Sequence, residues 1–316
     1  MKKNSKILIL GHNGLVGSAV IRELEKQGYE NILTATRATG NRFDLTDPNE
    51  TNMAFHFTKP EYVFLCAAKV GGILMNDTQS GDMIHNNLMI QTNVIEASHV
   101  YGVKKLLFLG SSCIYPKHCP QPIKEEYLLS GELEKTNIGY AVAKIAGLVM
   151  CEMYQKQFHD DFISAMPTNL YGPGDNFNFL NSHVLPAMIR KFHDAKTRGF
   201  GMLELWGSGT PMREFLYVDD LAEALVHLMN NYDEVGHINV GTGKDVSIQE
   251  LAEIIKEIVG FEGTVVWDAS KPDGTPKKLL DVTKINETGW EAKTELKEGI
   301  EKTYKWFLEN LEDLRV

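Results

Sequence analysis

The sequence predicts an α/β fold, in which a doubly wound parallel sheet carries helices on both faces and a smaller C-terminal lobe follows. Three observations support this prediction. Short apolar segments alternate with helical patterns, a glycine-rich turn follows the first apolar segment, and after about residue 171 the chain becomes richer in Gly, Pro and Asn. Alternating strands and helices are typical of parallel sheets, because each parallel connection needs a crossover that is usually a helix.

The first predicted strand is the apolar run at residues 6–10, and a helical pattern follows it through Leu24. Between them lies a turn with G-x-x-G-x-x-G spacing. Glycines let the backbone bend sharply and approach a pyrophosphate, which then lies at the positive end of the following helix. The spacing differs from the G-x-G-x-x-G of many dehydrogenases, and a plain turn also fits it. The turn consists of Gly11, His12, Asn13, Gly14, Leu15, Val16 and Gly17.

Four further strands are predicted at residues 31–36, 62–66, 105–109 and 162–166. In open parallel sheets ligands bind beyond the carboxyl ends of the strands. The glycine turn, Ser111 and the region of Asn169 all fall at those ends. This arrangement is a Rossmann-type sheet. We expect a nucleotide-binding domain at residues 1–170 and a substrate lobe at residues 171–316, with an approximate boundary and the chain crossing back between them.

Length and composition favour a globular protein of a reducing compartment. The 316 residues suffice for one large domain or two modest ones. A net charge of −10 argues against general nucleic-acid binding. Because no apolar run reaches membrane-spanning length and the N-terminus lacks a signal-peptide h-region, we expect a cytoplasmic location and no membrane association. Four cysteines without a C-x-x-C pair indicate reduced thiols rather than disulfides or a metal site.

A tyrosine and a lysine four residues apart, Tyr140 and Lys144, lie on one face of a predicted helix. A lysine ammonium beside a phenol favours the phenolate, and we therefore expect a lowered Tyr140 pKa. Ser111, at a strand end, is placed to hold a substrate oxygen against the same phenol. This set is typical of a carbonyl–alcohol redox site that uses a nicotinamide. An ordinary amphipathic helix explains the tyrosine–lysine spacing equally well, but the glycine turn at the N-terminus favours the redox site.

Two predicted helices, near residues 83–101 and 140–158, are apolar on more than one face. One face covers the sheet, and the other needs a second partner because large exposed apolar patches are rare on monomers. Burial under the C-terminal lobe is one explanation. We favour a symmetric homodimer formed through these helices.

Several sequence blocks resemble the extended short-chain dehydrogenase/reductase family of nucleotide-sugar enzymes. The resemblance spans nearly the whole chain. It implies NADP(H) as cofactor, a GDP-sugar substrate, and conversion of GDP-4-keto-6-deoxy-D-mannose to GDP-L-fucose by epimerisation at C3 and C5 and reduction at C4. The blocks are the glycine turn, Tyr140 with Lys144, GSSCIYP at 110–116, MPTNLYG at 166–172, NSH at 181–183, WGSGTPMR at 206–213, REFLYVDD at 213–220 and KPDGTP at 271–276.

The resemblance also implies roles for individual residues. Cys113 is implied to be the base and His183 the acid of the epimerisation, whereas their residue types alone equally suit a buried thiol and a structural hydrogen bond. Ser111, Tyr140 and Lys144 complete the implied catalytic set. Residues implied to contact the nucleotide sugar are Lys191, Trp206, Arg213 and Asp273. Those implied at the cofactor include Asp44 and Leu45 by the adenine, and Pro167, Thr168, Asn169, Leu170, Lys144 and His183 toward the nicotinamide.

The end of the second predicted strand indicates which cofactor is preferred. NAD sites usually place an acidic residue there to bind the ribose hydroxyls. Here the segment ends in Arg37, which suits a 2′-phosphate, and we therefore expect NADP. Some family members carry an arginine within the glycine turn where this chain has Asn13, so the preference for NADP over NAD is expected to be weaker.

Three alternatives remain open. A nucleotide-sugar 4,6-dehydratase of the same fold needs carboxylates near the catalytic serine, but residues 108–124 contain no Asp or Glu. A 4-epimerase needs no pair such as Cys113 and His183. A non-catalytic NADP-sensing protein keeps the glycine turn but is expected to lose Tyr140 or Lys144.

Overall fold

The computed structural model describes residues 1–36, 40, 43–179, 182–271, 273–312 and 314. These residues form twelve β-strands. In chain order the strands are β1 (Lys6–Leu10), β2 (Asn31–Thr34), β3 (Tyr62–Leu65), β4 (Lys105–Leu109), β5 (Phe162–Pro167), β6 (Asn169–Tyr171), β7 (Met202–Trp206), β8 (Met212–Tyr217), β9 (His237–Val240), β10 (Asp245–Ser247), β11 (Thr264–Asp268) and β12 (Lys277–Lys278).

The same residues form ten α-helices and three short 3₁₀ turns, the latter at Ser112–Ile114, Glu125–Tyr127 and Lys135–Asn137. In chain order the α-helices are α1 (Leu15–Lys26), α2 (Pro48–Thr58), α3 (Ile73–Thr78), α4 (Ser80–Val100), α5 (Ile138–Phe158), α6 (Val184–Thr197), α7 (Val218–Asn231), α8 (Ile248–Val259), α9 (Thr283–Glu287) and α10 (Leu296–Glu309).

The central sheet is parallel, six-stranded and ordered β2-β1-β3-β4-β5-β9. The doubly wound sheet and its first five strands, predicted from the sequence, are confirmed. The sixth strand, β9, is a finding of the structure: four residues from the C-terminal half pair with β5. A segment this short carries too little pattern to be recognised as a strand. The division of the chain at residue 170 stays a prediction.

Helices cover both faces of this sheet because successive side chains of each strand point to opposite sides. In β1, Ile7 and Ile9 face a core shared with α1 and α7, whereas Leu8 and Leu10 face a core shared with α2, α4 and α5. Every residue of the central strands β4 and β5 is buried. This explains their nearly continuous apolar sequences, because a strand covered by helices on both faces has no side chains that point to solvent.

The smaller lobe contains two small sheets. One joins β10, β8 and β12, with β6 pairing to β8, and the other is the parallel pair β7 and β11. Helices α6, α8 and α10 pack around a separate aromatic-rich core that includes Phe177, Phe192 and Phe307. Strand β12 runs parallel to β8, which places Lys278 beside Arg213.

Helices α4 and α5 correspond to the two predicted helices near residues 83–101 and 140–158, and the Gln91 side chain of α4 packs directly against the backbone of α5. Gly147 of α5 lies where a Cβ would meet Gln91 of α4 at 2.8 Å. The Gln91 amide donates to the Ala143 carbonyl at 2.5 Å. Within the described ranges, no helix combines the length and the apolar composition needed to cross a membrane.

Candidate active site

A cavity of about 800 Å³ lies at the carboxyl ends of the central strands. Its walls come from the glycine turn, the segments after β3, β4 and β5, the start of α5 and the residues before α6. Nearly all predicted catalytic and cofactor residues therefore meet around one space, although they are far apart in sequence. Those on its wall are Gly11, His12, Asn13, Gly14, Leu15, Val16, Gly17, Asp44, Leu45, Ser111, Cys113, Tyr140, Lys144, Pro167, Thr168, Asn169, Leu170 and His183.

The glycine turn packs its own backbone so tightly that side chains do not fit. Gly11 has φ +90°, and a Cβ there would lie 2.7 Å from the Ala67 nitrogen. A Cβ on Gly17 would lie 2.2 Å from the Gly11 carbonyl oxygen. Helix α1 starts after Gly14, which provides no side-chain cap. The uncapped helix N-terminus at the cavity wall suits the pyrophosphate of a dinucleotide.

Replacing Gly17 by alanine is expected to weaken NADPH binding and stability together, because the new methyl group displaces the Gly11 carbonyl. Overpacking of this kind costs about 1–3 kcal/mol. NADPH fluorescence titration and thermal unfolding measure the two effects. Gly81→Ala is the matched control, since a Cβ at this helical position has nothing within 4 Å. Wild-type NADPH affinity in Gly17→Ala would contradict the assigned role of the turn.

Ser111 connects the two halves of the catalytic set. It caps the 3₁₀ turn that follows β4, and its Oγ accepts from the Cys113 backbone N–H at 3.2 Å. The same hydroxyl is hydrogen-bonded to the Tyr140 phenol and to the Cys113 thiol. Lys144 is buried behind them and donates from Nζ to the Leu109 carbonyl at 2.7 Å.

The expected effect of Lys144 on Tyr140 is wrong for this structure. Burial raises the pKa of the Tyr140 phenol, the Cys113 thiol raises it further, and the Ser111 hydrogen bond only partly offsets them. Lys144 Nζ lies 5.8 Å from the centre of the Tyr140 ring. Burial also lowers the pKa of Lys144 to about 8. Tyr140 therefore holds its proton near neutral pH, which is the form that a proton donor needs.

Cys113 lies beside a cation that comes from the smaller lobe. The Lys278 ammonium lies 3.5 Å from the Cys113 Sγ. Burial alone raises the pKa of this thiol, yet Lys278, Ser111 and Arg213 together bring the pKa below its ordinary value. Cys66, also on the cavity wall, shows the contrast: burial raises its thiol pKa to about 12.

His183 borders the same cavity from the N-terminal end of α6, where it occupies the cap position. Its ring is accessible from the cavity. Desolvation by the surrounding protein lowers the pKa of the imidazole, and the charge of the Lys278 ammonium lowers it further. A lowered pKa makes the protonated ring a stronger acid. The structure thus brings a thiol and an imidazole from separate elements to one cavity.

The four residues predicted to bind the nucleotide sugar do not border this cavity. They form a neighbouring cluster in the smaller lobe, where the Lys191 Nζ lies 5.4 Å from the centre of the Trp206 ring. Lys271 lies 5.6 Å from the same ring, which is 60% exposed. Asp273 accepts from the Ser208 backbone N–H at 2.7 Å. Arg213 links the cluster to Cys113, because its guanidinium interacts with both Asp273 and the thiol.

The adenine end of the site is described in part. Asp44 accepts from the Thr46 N–H and hydroxyl at 2.9 and 2.7 Å, and Leu45 is buried beside it. Arg37, the predicted partner of a 2′-phosphate, lies outside the described residues. Residues 66–71 also line the cavity but were not predicted from the sequence. Their position directly after β3 was the available signal, because ligand sites lie at the carboxyl ends of parallel strands.

Comparison with known proteins agrees with this geometry. The model of the NAD dependent epimerase/dehydratase family matches residues 7–241. A curated relative, a putative GDP-L-fucose synthase 2 from Arabidopsis thaliana, is 55% identical over 98% of this chain and 94% of that protein. The GDP-L-fucose synthase of Escherichia coli K12 is 50% identical over 98% of both chains.

A solved structure shares the fold over nearly its entire length. The GDP-L-fucose synthetase of Naegleria fowleri bound to NADP is 32% identical, with a TM-score of 0.92 over 100% of this chain and 96% of that one. The resemblance to nucleotide-sugar enzymes that the sequence predicted is confirmed by these relatives. This chain belongs to the NAD dependent epimerase/dehydratase family.

Proposed function

We propose that this protein is an NADPH-dependent enzyme that converts GDP-4-keto-6-deoxy-D-mannose to GDP-L-fucose. One observation carries the proposal. The cavity that holds the reductase set of Ser111, Tyr140 and Lys144 also holds Cys113 and His183. A simple reductase does not need this second pair, whereas an enzyme that inverts stereocentres beside the ketone does. The names and full-length similarity of the relatives support the same reaction.

The chemistry of the ketone explains why both sets are needed. A C4 carbonyl acidifies the protons on C3 and C5, because an enolate oxygen takes up the charge. Ser111 and Tyr140 are the hydrogen-bond donors for that oxygen. Cys113 removes the proton from one face, and His183 delivers a proton to the opposite face. After both inversions, Tyr140 gives its proton to the C4 oxygen.

The cofactor site fits NADPH. Gly11 and Gly17 let the turn pack closely on neighbouring backbone beside the uncapped start of α1, which is proposed to bind the pyrophosphate. The buried Lys144 and the segment 167–170 line the same cavity and are proposed to lie at the nicotinamide. When bound, NADPH supplies the hydride to C4. A neighbouring solved structure that has NADP bound supports this choice.

The smaller lobe is proposed to bind the GDP part of the substrate. Trp206 provides an exposed aromatic surface for the guanine, with Lys191 and Lys271 over its ring. Arg213, between this cluster and Cys113, is placed to bind the diphosphate and to aim the sugar into the cavity. These cations give the lobe a local positive charge that attracts the anionic GDP, although the net charge of the chain is −10.

The proposal is tested by incubating the protein with GDP-4-keto-6-deoxy-D-mannose and NADPH. The expected result is loss of NADPH absorbance and formation of GDP-L-fucose, identified by NMR. Reduction without inversion would contradict the epimerase half of the proposal and indicate a plain 4-reductase. No reaction with this ketone, together with formation of the same ketone from GDP-D-mannose without net NADPH consumption, would instead indicate a 4,6-dehydratase.

We also propose that the protein is a homodimer formed through α4 and α5. Helix α5 keeps an apolar stripe on its outer face, and three large side chains on that face are exposed although α4, the sheet and the smaller lobe are all in place. These residues are Ile138, Val142 and Met153. The same stripe of a second protein copy is proposed to bury them, because a two-fold axis brings identical surfaces together.

Val142→Glu is expected to convert the dimer to a monomer, since it places a charge in the centre of the apolar stripe. Sedimentation velocity measures the change. Val235→Glu is the control, because Val235 is also exposed but lies outside both helices. A monomeric wild-type protein, or a Val142→Glu variant that stays dimeric, would contradict the interface.

We further propose a cytoplasmic location. Cys66, Cys113, Cys119 and Cys151 are all free thiols in the structure, which suits a reducing compartment. Cell fractionation followed by detection of the protein tests this, and recovery in a secreted or membrane fraction would contradict it.

A further inference from the structure

One cation reaches the reactive thiol from the smaller lobe. The Nζ of Lys278, in β12, lies 3.5 Å from the Sγ of Cys113, although 165 residues separate them in sequence. At this distance the ammonium donates a hydrogen bond to the sulfur, and its charge favours a thiolate over a neutral thiol. The contact therefore concerns the protonation state of the proposed base.

The position of Lys278 is set by a buried carboxylate. Glu214 of β8 is fully buried, and its carboxylate accepts from the backbone N–H groups of Leu280, Thr242 and Gly243 at 2.9, 2.6 and 2.8 Å. The bond from Leu280 fixes the chain directly after β12 to β8, and the other two hold the turn before β10 against the same carboxylate. A short strand that has this anchor presents its side chains in a defined direction.

The two lysines of β12 have different partners. Lys277 forms an ion pair with Asp245 at 3.0 Å. Among the described residues, Lys278 forms no ion pair with a carboxylate. Its ammonium instead donates a hydrogen bond to the sulfur of Cys113. Both lysines border the small cavity beside the thiol, but only Lys278 contacts the sulfur, because Lys277 is held by Asp245.

Other groups near Cys113 act in both directions. Burial raises the pKa of the Cys113 thiol, whereas its hydrogen bond with Ser111 and the positive charge of Arg213 in β8 lower it. The Tyr140 phenol also stands close, on α5. A small cavity of about 30 Å³ lies behind the thiol, and it is bordered by Glu134, which pairs with Lys117 at 2.7 Å. Among these groups, the cation in hydrogen-bond contact with the sulfur is the Lys278 ammonium.

We propose that Lys278 is a positioning residue that holds Cys113 as a thiolate for both epimerisations. The inference rests on the proposed function. In each inversion the thiolate takes the proton from C3 or C5, so that an S–H bond forms as the C–H bond breaks and the electron pair moves into the enolate. Before the next inversion the thiol must release that proton to water. Lys278 keeps its own proton throughout and favours the thiolate each time.

The first test measures the thiol without any substrate. Iodoacetamide alkylation of Cys113 is followed against pH in the full-length protein, and the modified peptide is quantified by mass spectrometry. Lys278→Met is expected to move the midpoint upward by about one pH unit or more, because an opposite charge in contact shifts a pKa by about 1–3 units. Lys278→Gln is a second neutral variant, and Lys278→Arg is expected to restore the wild-type midpoint.

The matched control is Lys277→Met, which removes the same charge from the same strand but from the pair with Asp245. It is expected to leave the Cys113 midpoint unchanged. An unchanged midpoint in both folded neutral variants of Lys278 would overturn the proposal. An equal shift in Lys277→Met would also overturn it, since the effect would then come from net charge.

The second test separates this inference from the proposed function. With GDP-4-keto-6-deoxy-D-mannose in heavy water, Lys278→Met is expected to slow deuterium entry at C3 and C5 by about tenfold at pH 7, while NADPH oxidation continues. The rate should recover as the pH rises, because the thiolate then forms without the lysine. If the wild type does not use this substrate, the proposed function fails and the alkylation profile still decides the role of Lys278.

Discussion

Tyr140→Phe is expected to lower turnover of GDP-4-keto-6-deoxy-D-mannose by at least about a hundredfold, because one phenol serves both chemical steps. It stabilises the enolate during epimerisation and gives its proton to the C4 oxygen during reduction. Burial raises the pKa of the phenol, so the proton is present at neutral pH. The substitution removes this proton because it removes the hydroxyl. Steady-state NADPH oxidation measures the effect.

NADPH binding is expected to survive in Tyr140→Phe, since the glycine turn is unchanged. Fluorescence titration checks this. Tyr101→Phe is the matched control, because it also removes a phenol hydroxyl, which donates to the Asn52 carbonyl away from the cavity. Near-wild-type turnover in Tyr140→Phe would remove this tyrosine from the mechanism.

Cys113→Ser is expected to nearly stop exchange of the C3 and C5 protons with solvent, because a serine hydroxyl is far less acidic than a thiol held beside Lys278. Ser111, Tyr140 and Lys144 remain, so hydride transfer to C4 should continue slowly. The product is then a GDP-6-deoxyhexose that retains its D configuration. NMR analysis of the product formed in deuterated buffer measures both outcomes.

His183→Asn is the companion variant, since it removes the proton donor and leaves the base. It is expected to let some deuterium enter at C3 and C5 but with poor inversion. The two variants therefore differ in label and in configuration. Fully labelled GDP-L-fucose formed by Cys113→Ser at the wild-type rate would show that the cysteine only packs and that another group is the base.

The fold could be predicted from local patterns where those patterns were strong. Strands β1, β3, β4 and β5 are apolar runs that become buried on both faces, and the glycine turn follows the first of them. Strand β9 was missed because four residues with two apolar positions do not differ from many loop segments. Its pairing with β5 depends on a chain that returns from the smaller lobe.

The candidate site was predicted as a set of residues but not as an electrostatic arrangement. Tyr140 and Lys144 are one helical turn apart, which suggested a lowered phenol pKa. The structure instead directs the Lys144 ammonium to the Leu109 carbonyl and buries the phenol, so the pKa rises. Sequence spacing gives the distance between two side chains along a helix, but not the burial that decides their charge.

The sequence by itself determined the doubly wound sheet, the glycine turn and the candidate catalytic residues, because these follow from hydrophobic periodicity, backbone freedom and side-chain chemistry. The tertiary structure alone decided which cation meets the thiol. Lys278 reaches Cys113 only because β12 pairs with β8 and because the Glu214 carboxylate anchors the chain after it. Interactions across 165 residues depend on packing between distant elements, and no local pattern encodes that distance.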